Sequence, residues 1–122
     1  MPIATARKDW GMSKFGVSSS VANLKRVAVR PPTRDADYQA AHWLGAPEQL
    51  DLDALQADHA AFVALLRELG CEVDVLPEAP GQADACFVYD PAFTTPTGVI
   101  QLQGAKEARL KEPAMLAGDI NA

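Results

Sequence analysis

The feature that most constrains the fold is a strand–helix–strand pattern between Leu24 and Leu76. Residues 24–30 and 71–76 alternate apolar and polar side chains, which is typical of β-strands. Between them, side chains recur at three- and four-residue steps, which predicts a helix with one mainly apolar face; this face comprises Leu52, Leu55, His59, Phe62, Leu66 and Leu69. Because this order favours two parallel strands joined by a right-handed crossover, the sequence predicts an α/β fold.

Residues that begin and end helices flank the predicted helix. Asp51 or Asp53 can cap its first turn, and Gly70 can adopt the left-handed conformation that ends a helix. His59 lies within the helix face, and we interpret it as a core histidine rather than a catalytic base, because no neighbour in sequence forms a site with it.

A short apolar run bracketed by two carboxylates follows the second strand. Ala85 to Tyr89 is predicted to be a third, buried strand that ends before Pro91, because proline cannot donate to a β-ladder. Asp84 and Asp90 flank the run. One interpretation is that both cap turns, as aspartate often does. The other is that they bind a cation, and a planar guanidinium fits a carboxylate best through two parallel hydrogen bonds.

The remaining segments give weaker predictions. Residues 93–98 are predicted to form a turn region, and Val99 to Leu102 a fourth strand antiparallel to the third. Lys106 to Lys111 is predicted to be a charged loop, and Pro113 suits the first turn of a final helix.

The long loop 33–49 contains His42 and Trp43, and Trp43 either covers the core edge or belongs to a lid over a pocket. Residues 1–22 are predicted to be a flexible arm, and residues 23–122 the folded part.

Composition excludes several classes of function. The 122 residues, 48% of them hydrophobic, suffice for one domain with a modest core. A net charge of −5 argues against a nucleic-acid surface. No apolar run has the length needed to span a bilayer, and no apolar stretch typical of a secretory leader follows Arg7 and Lys8. A cytoplasmic setting is therefore predicted.

The cysteines and histidines predict neither a disulfide scaffold nor a metal site. Cys71 and Cys86 lie in strand-like apolar surroundings, and His42 and His59 do not complete the short paired spacings of a zinc site. No metal or cofactor is expected. A buried, apolar cysteine has a raised pKa, so Cys86 is disfavoured as a nucleophile.

Several segments in order resemble the guanidine-modifying superfamily, which includes dimethylarginine dimethylaminohydrolases, arginine deiminases and amidinotransferases. The resemblance covers roughly residues 14–115 and rests on residues 16–21, 24–31, 57–62, 87–92 and 104–109. It implies a pentein fold, which is an α/β propeller of ββαβ units with mixed sheets. This chain would form about one to two blades of it.

The resemblance also implies a function, that of the N-terminal, substrate-binding portion of an enzyme that hydrolyses or transfers the guanidino group of an arginine-like substrate such as dimethylarginine. Asp84 and Asp90 match the carboxylates that hold the guanidinium, and Arg109 matches an arginine that meets the substrate's α-carboxylate. Tyr89 stands where dimethylarginine hydrolases have a glutamate, and Arg109-Leu110-Lys111-Glu112 replaces their usual arginine pair followed by Gly-Glu.

The catalytic groups of this family are a late cysteine, which attacks the guanidinium carbon, and a histidine that acts as general acid and base. Both are expected outside residues 1–122, so no catalytic residue is assigned here. The alternative is a non-catalytic binding module or split subunit. In either case the remainder of the propeller or a partner chain is expected to cover exposed strand edges. A third interpretation is an α/β domain with a purely structural role.

Overall fold

The computed structural model describes residues 19–41 and 50–121 and has a mixed α/β architecture. The elements in chain order are β1 (Arg26–Val29), α1 (Leu52–Glu68), β2 (Glu72–Val75), a first 3₁₀ turn (Ala83–Cys86), β3 (Ala92–Thr95), β4 (Gly98–Gln101), a second 3₁₀ turn (Glu107–Arg109) and α2 (Glu112–Asn121). The α/β class predicted from the sequence is confirmed.

The strands β1 and β2 form a two-stranded parallel sheet, as the sequence predicts. Their register pairs Arg26 with Glu72 and Val29 with Val75. The alternation in β1 places Val27 and Val29 on one face, where they meet the buried Val63 and Leu66 of α1. This small cluster is the apolar core between the sheet and the helix.

The predicted ends of α1 are confirmed. The side chain of Asp51 accepts a hydrogen bond from the backbone N–H of Ala54, so Asp51 rather than Asp53 is the N-cap. Gly70 has a φ of +92°, in the region that glycine adopts without steric cost, and it lies directly beyond the C-cap, Leu69.

The face that α1 buries differs from the predicted one. The sequence places Phe62, Leu66 and Leu69 together in the core, but Val63 and Leu66 are the buried residues of the helix. Phe62 is half exposed and Leu69 is 71% exposed. The reason is that a sheet of only two short strands covers a narrow part of the helix, so Phe62, Leu65 and Leu69 remain open to solvent, while Leu52 and Leu55 pack against a second cluster around Tyr38.

The prediction for residues 85–102 is partly wrong. Residues 85–89 form no strand, and the end of a 3₁₀ turn and a second turn take its place. Backbone N–H groups here bond locally; for example, the N–H of Phe87 donates to the carbonyl of Asp84 at 3.0 Å. The strand is instead β3, which begins at Ala92 and otherwise lies within the predicted turn region of residues 93–98. β4 begins one residue before the predicted strand and pairs antiparallel with β3, matching Phe93 with Ile100.

The two sheets are separate, so the predicted mixed sheet is wrong for the described residues. The propeller arrangement stays a prediction. The final helix is confirmed, with Pro113 in the first turn of α2. Most of the predicted N-terminal arm, together with His42 and Trp43, lies outside the described residues. Within those residues, none of the helices has the length and apolar character that crossing a membrane requires.

Candidate functional site

The two 3₁₀ turns bring the predicted site residues together. The first contains Asp84, and Asp90 follows it in the next turn, where its N–H donates to the carbonyl of Phe87 at 3.2 Å. The second ends at Arg109, just before α2 begins at Glu112. The turns contact each other, so groups about 20 residues apart in sequence lie within hydrogen-bonding distance.

Asp84 meets a lysine of this chain. Its carboxylate is almost fully buried, with 7% of the side chain exposed, and Oδ2 accepts a hydrogen bond from Lys106 Nζ at 2.6 Å. The same Nζ donates to the carbonyl of Ala41 at 2.5 Å. A buried carboxylate needs a cation or several donors to offset its lost hydration, and Lys106 supplies the cation.

Arg109 is held by two carboxylates. Its Nε and Nη2 donate to Oε2 of Glu112 in a fork-like contact, at distances of 2.9 Å and 2.7 Å respectively. Its Nη1 donates to Oδ2 of Asp90 at 2.6 Å. The bond to Glu112, followed by the bond to Asp90, raises the pKa of Arg109 above its ordinary value, although burial opposes the shift. The guanidinium is therefore permanently charged.

Two main-chain carbonyls and one aromatic ring complete the surroundings of this guanidinium. Nη2 lies 3.3 Å from the carbonyl oxygens of both Asp84 and Phe87. The guanidinium carbon lies 6.0 Å from the centre of the Phe87 ring, at the outer limit of a cation–π contact. We call this set of groups (the carboxylates of Asp90 and Glu112, the carbonyls of Asp84 and Phe87, and the Phe87 ring) the guanidinium cage.

Exposure divides the cage into two sides. The side chain of Glu112 is 2% exposed, whereas that of Asp90 is 53% exposed and that of Arg109 is 17% exposed. The contact with Glu112 has the fork geometry, and the contact with Asp90 is a single hydrogen bond at the surface. Water screens the surface contact much more than the buried one. The Asp90 side is therefore the weaker side and the one that solutes reach.

The structure thus brings Asp90 and Arg109 into direct contact and places the Asp84 main chain beside them. Asp84 contributes its carbonyl to the cage, while its carboxylate contacts Lys106. Glu112, a member of the cage, was not among the site residues predicted from the sequence. The available signal was its position three residues after Arg109 at a helix start, a spacing that places two side chains together.

A shallow depression elsewhere on the described surface contains none of the predicted site residues. It is lined by Arg34, Asp35, Ala36, Asp37, Tyr38, Gln39, Leu50, Leu52 and Gly81. The guanidinium cage is therefore the place in the described part of the chain where the predicted site residues converge.

Cys86 and His59, which carry a thiol and an imidazole, both lie in settings where burial disfavours their charged forms. Both cysteines are free thiols, and burial raises the pKa of Cys86 to about 11, so this thiol stays protonated at neutral pH. Cys86 ends the first 3₁₀ turn rather than lying in a strand. Burial lowers the pKa of His59. Its ring meets the ring of Phe62 edge-on, with 6.5 Å between the two ring centres. Across residues 19–41 and 50–121, no group of three or more His, Cys, Asp or Glu is arranged to hold a metal ion.

Comparisons with known proteins give no assignment. No family model matches this chain, no curated protein matches it, and no solved structure matches it.

Proposed function

We propose that this chain recognises the guanidinium group of an arginine-like molecule, as the N-terminal, substrate-binding portion of a guanidine-modifying enzyme of the pentein type. In this proposal Asp84, Asp90 and Arg109 form the recognition site. The nucleophilic cysteine and the general acid–base histidine belong to residues outside this chain. The segment alone is expected to bind its ligand without turning it over.

The observation that supports this proposal best is that the cage already coordinates a guanidinium, that of Arg109. The cage combines carboxylate oxygens, carbonyl oxygens and a ring face, which match the donors and flat cationic surface of a guanidinium. Of the two carboxylates, Asp90 is the half-exposed one, so it is the carboxylate that an external guanidinium would meet first.

Binding of L-arginine tests the proposal. L-citrulline is the matched control, because it replaces the guanidinium with a neutral urea group of similar shape. We expect calorimetry to detect arginine and not citrulline. Asp90→Asn should weaken arginine binding by about tenfold or more, because a charge-assisted hydrogen bond contributes roughly 1.5–3 kcal/mol.

Asp58→Asn serves as the control for this variant, since Asp58 is an exposed aspartate on α1. It removes the same charge from the chain and should leave arginine binding unchanged. Equal loss in both variants would indicate a general charge effect, and equal binding of arginine and citrulline would contradict guanidinium recognition.

A binding module or split subunit that requires a partner is the second candidate. It is favoured by the apolar side chains left open on α1, where Phe62 and Leu65 are each 50% exposed and Leu69 is more exposed still. Parallel strands normally have both faces covered, yet the described parallel sheet has only two strands. Contiguous exposed apolar surface of this kind often marks an interface.

Light scattering coupled to size exclusion tests whether a second copy of this chain covers the exposed face of α1. If the exposed face of α1 drives association, the wild type should run as a dimer or larger species, and Leu65→Glu should convert it to a monomer. Ala60→Glu adds the same charge at an exposed position of the same helix outside this face, and should not change the mass. A monomeric wild type at about 100 μM would contradict self-association through α1.

A further inference from the structure

The guanidinium cage is filled by a side chain of this chain. Arg109 uses Nη1 to contact Asp90 at 2.6 Å, and Asp90 is the carboxylate that an external guanidinium is proposed to use. One carboxylate oxygen can accept from two donors, but two guanidinium cations held against one carboxylate repel each other. An external guanidinium and Arg109 therefore compete for the Asp90 carboxylate, whose Oδ2 Arg109 contacts.

We propose that Arg109 is an internal competitor for Asp90, so that an external guanidinium binds only when the Arg109–Asp90 ion pair opens. This inference rests on the proposed function. It assigns Arg109 an autoinhibitory contact in addition to any contact with the ligand.

The two-sided anchoring of Arg109 makes such an opening feasible. Glu112 is buried and holds Nε and Nη2 in a fork, whereas Asp90 holds only Nη1 and is half exposed. Losing the Asp90 contact therefore leaves the Arg109 charge paired with Glu112. The freed Asp90 carboxylate is half exposed, so water can solvate it, and the freed Nη1 belongs to a side chain that is 17% exposed. Opening costs much less than removing Arg109 from the cage altogether.

Arg109→Lys separates competition from folding. The lysine ammonium can still neutralise the buried Glu112, but it is a compact point charge and lacks the planar fork that spans Glu112 and Asp90 together. Methylguanidine is the probe, because it has no carboxylate and so cannot gain a contact from Arg109. Methylurea is its neutral control.

We expect Arg109→Lys to bind methylguanidine at least tenfold more tightly than the wild type, by calorimetry or NMR titration. Neither protein should bind methylurea. In the double variant Arg109→Lys/Asp90→Asn the gain should disappear. Arg109→Gln, which removes the charge and keeps a donor for Glu112, should show the same gain and is used if the lysine variant does not fold.

The other outcomes separate this inference from the proposed function. Equal or weaker binding by the variant than by the wild type would overturn the competition and leave guanidinium recognition standing. Failure of every protein to bind methylguanidine and L-arginine would overturn both.

If neither variant folds, the wild type decides. Methylguanidine should then move the resonance of the Arg109 Nη1 hydrogens, which donate to Asp90, over the same concentration range as the Asp90 amide resonance. Movement of the Asp90 amide with a fixed Arg109 side-chain signal would overturn the competition, and movement of neither would overturn both proposals.

Discussion

Arg109→Ala should lower the free energy of unfolding by about 3 kcal/mol, because it leaves the carboxylate of Glu112 buried without its guanidinium partner. Glu112 is among the most buried side chains described, so water cannot replace the lost hydrogen bonds without local opening. For a domain of this size, such a loss is a large part of the total stability.

Urea denaturation followed by circular dichroism measures this change. Guanidinium chloride is unsuitable, since its cation is itself a candidate occupant of the cage. Arg67→Ala is the matched control, because Arg67 is exposed in the last turn of α1, and it should change the free energy by less than about 0.5 kcal/mol.

A double variant identifies the cause of the loss. If the buried charge of Glu112 is responsible, Arg109→Ala/Glu112→Leu should be more stable than Arg109→Ala alone, because the second substitution removes that charge. Equal stabilities for Arg109→Ala and Arg67→Ala would contradict the buried ion pair described here.

The second large effect is expected in the core between α1 and the parallel sheet. Leu66→Ala should cost about 3 kcal/mol, because Leu66 is buried against Val29 and Val63 and its truncation would leave a cavity in this cluster. Thermal or urea unfolding measures the loss.

Two leucines of the same helix serve as controls. Leu65→Ala and Leu69→Ala make the same chemical change at half-exposed and mostly exposed positions, and each should cost under about 1 kcal/mol. The sequence pattern alone grouped Leu66 with Leu69, so similar losses at these two positions would favour the sequence pattern over the structure. A large loss at Leu65 would instead indicate that this face is covered in solution.

The β1–α1–β2 unit was predictable because its signals are local and agree with each other. The alternation of apolar and polar residues predicted the strands, and the recurrence of apolar residues at three- and four-residue steps predicted the helix. Asp51 and Gly70 indicated where the helix begins and ends. Which side chains α1 buries was not predictable, since that depends on how much surface the neighbouring strands cover.

The segment from Ala83 to Thr95 misled the sequence analysis for a different reason. A run of five apolar or aromatic residues is compatible with a strand, but periodicity cannot distinguish it from a series of tight turns. In the structure, local bonds such as Ala85 N–H to the Gln82 carbonyl at 3.2 Å satisfy the backbone without a partner strand. The strand begins only after Pro91, at Ala92.

The candidate site was only partly predictable. The resemblance singled out Asp84, Asp90 and Arg109, but no sequence pattern indicates that Arg109 would lie against Asp90, since 19 residues separate them. Glu112 was overlooked because its spacing from Arg109 becomes informative only once α2 is known to begin there. The roles of these residues in ligand binding stay predictions.

The lysine beside the cage makes two distant loops dependent on one another. The Lys106 ammonium donates both to the carboxylate of Asp84 and to the carbonyl of Ala41, which lies 65 residues earlier in the sequence. Chemical neutralisation of that one amine, for instance by acetylation, would loosen both attachments at the same moment. The positions of Ala41 and Asp84 are thereby tied to the charge state of a single side chain.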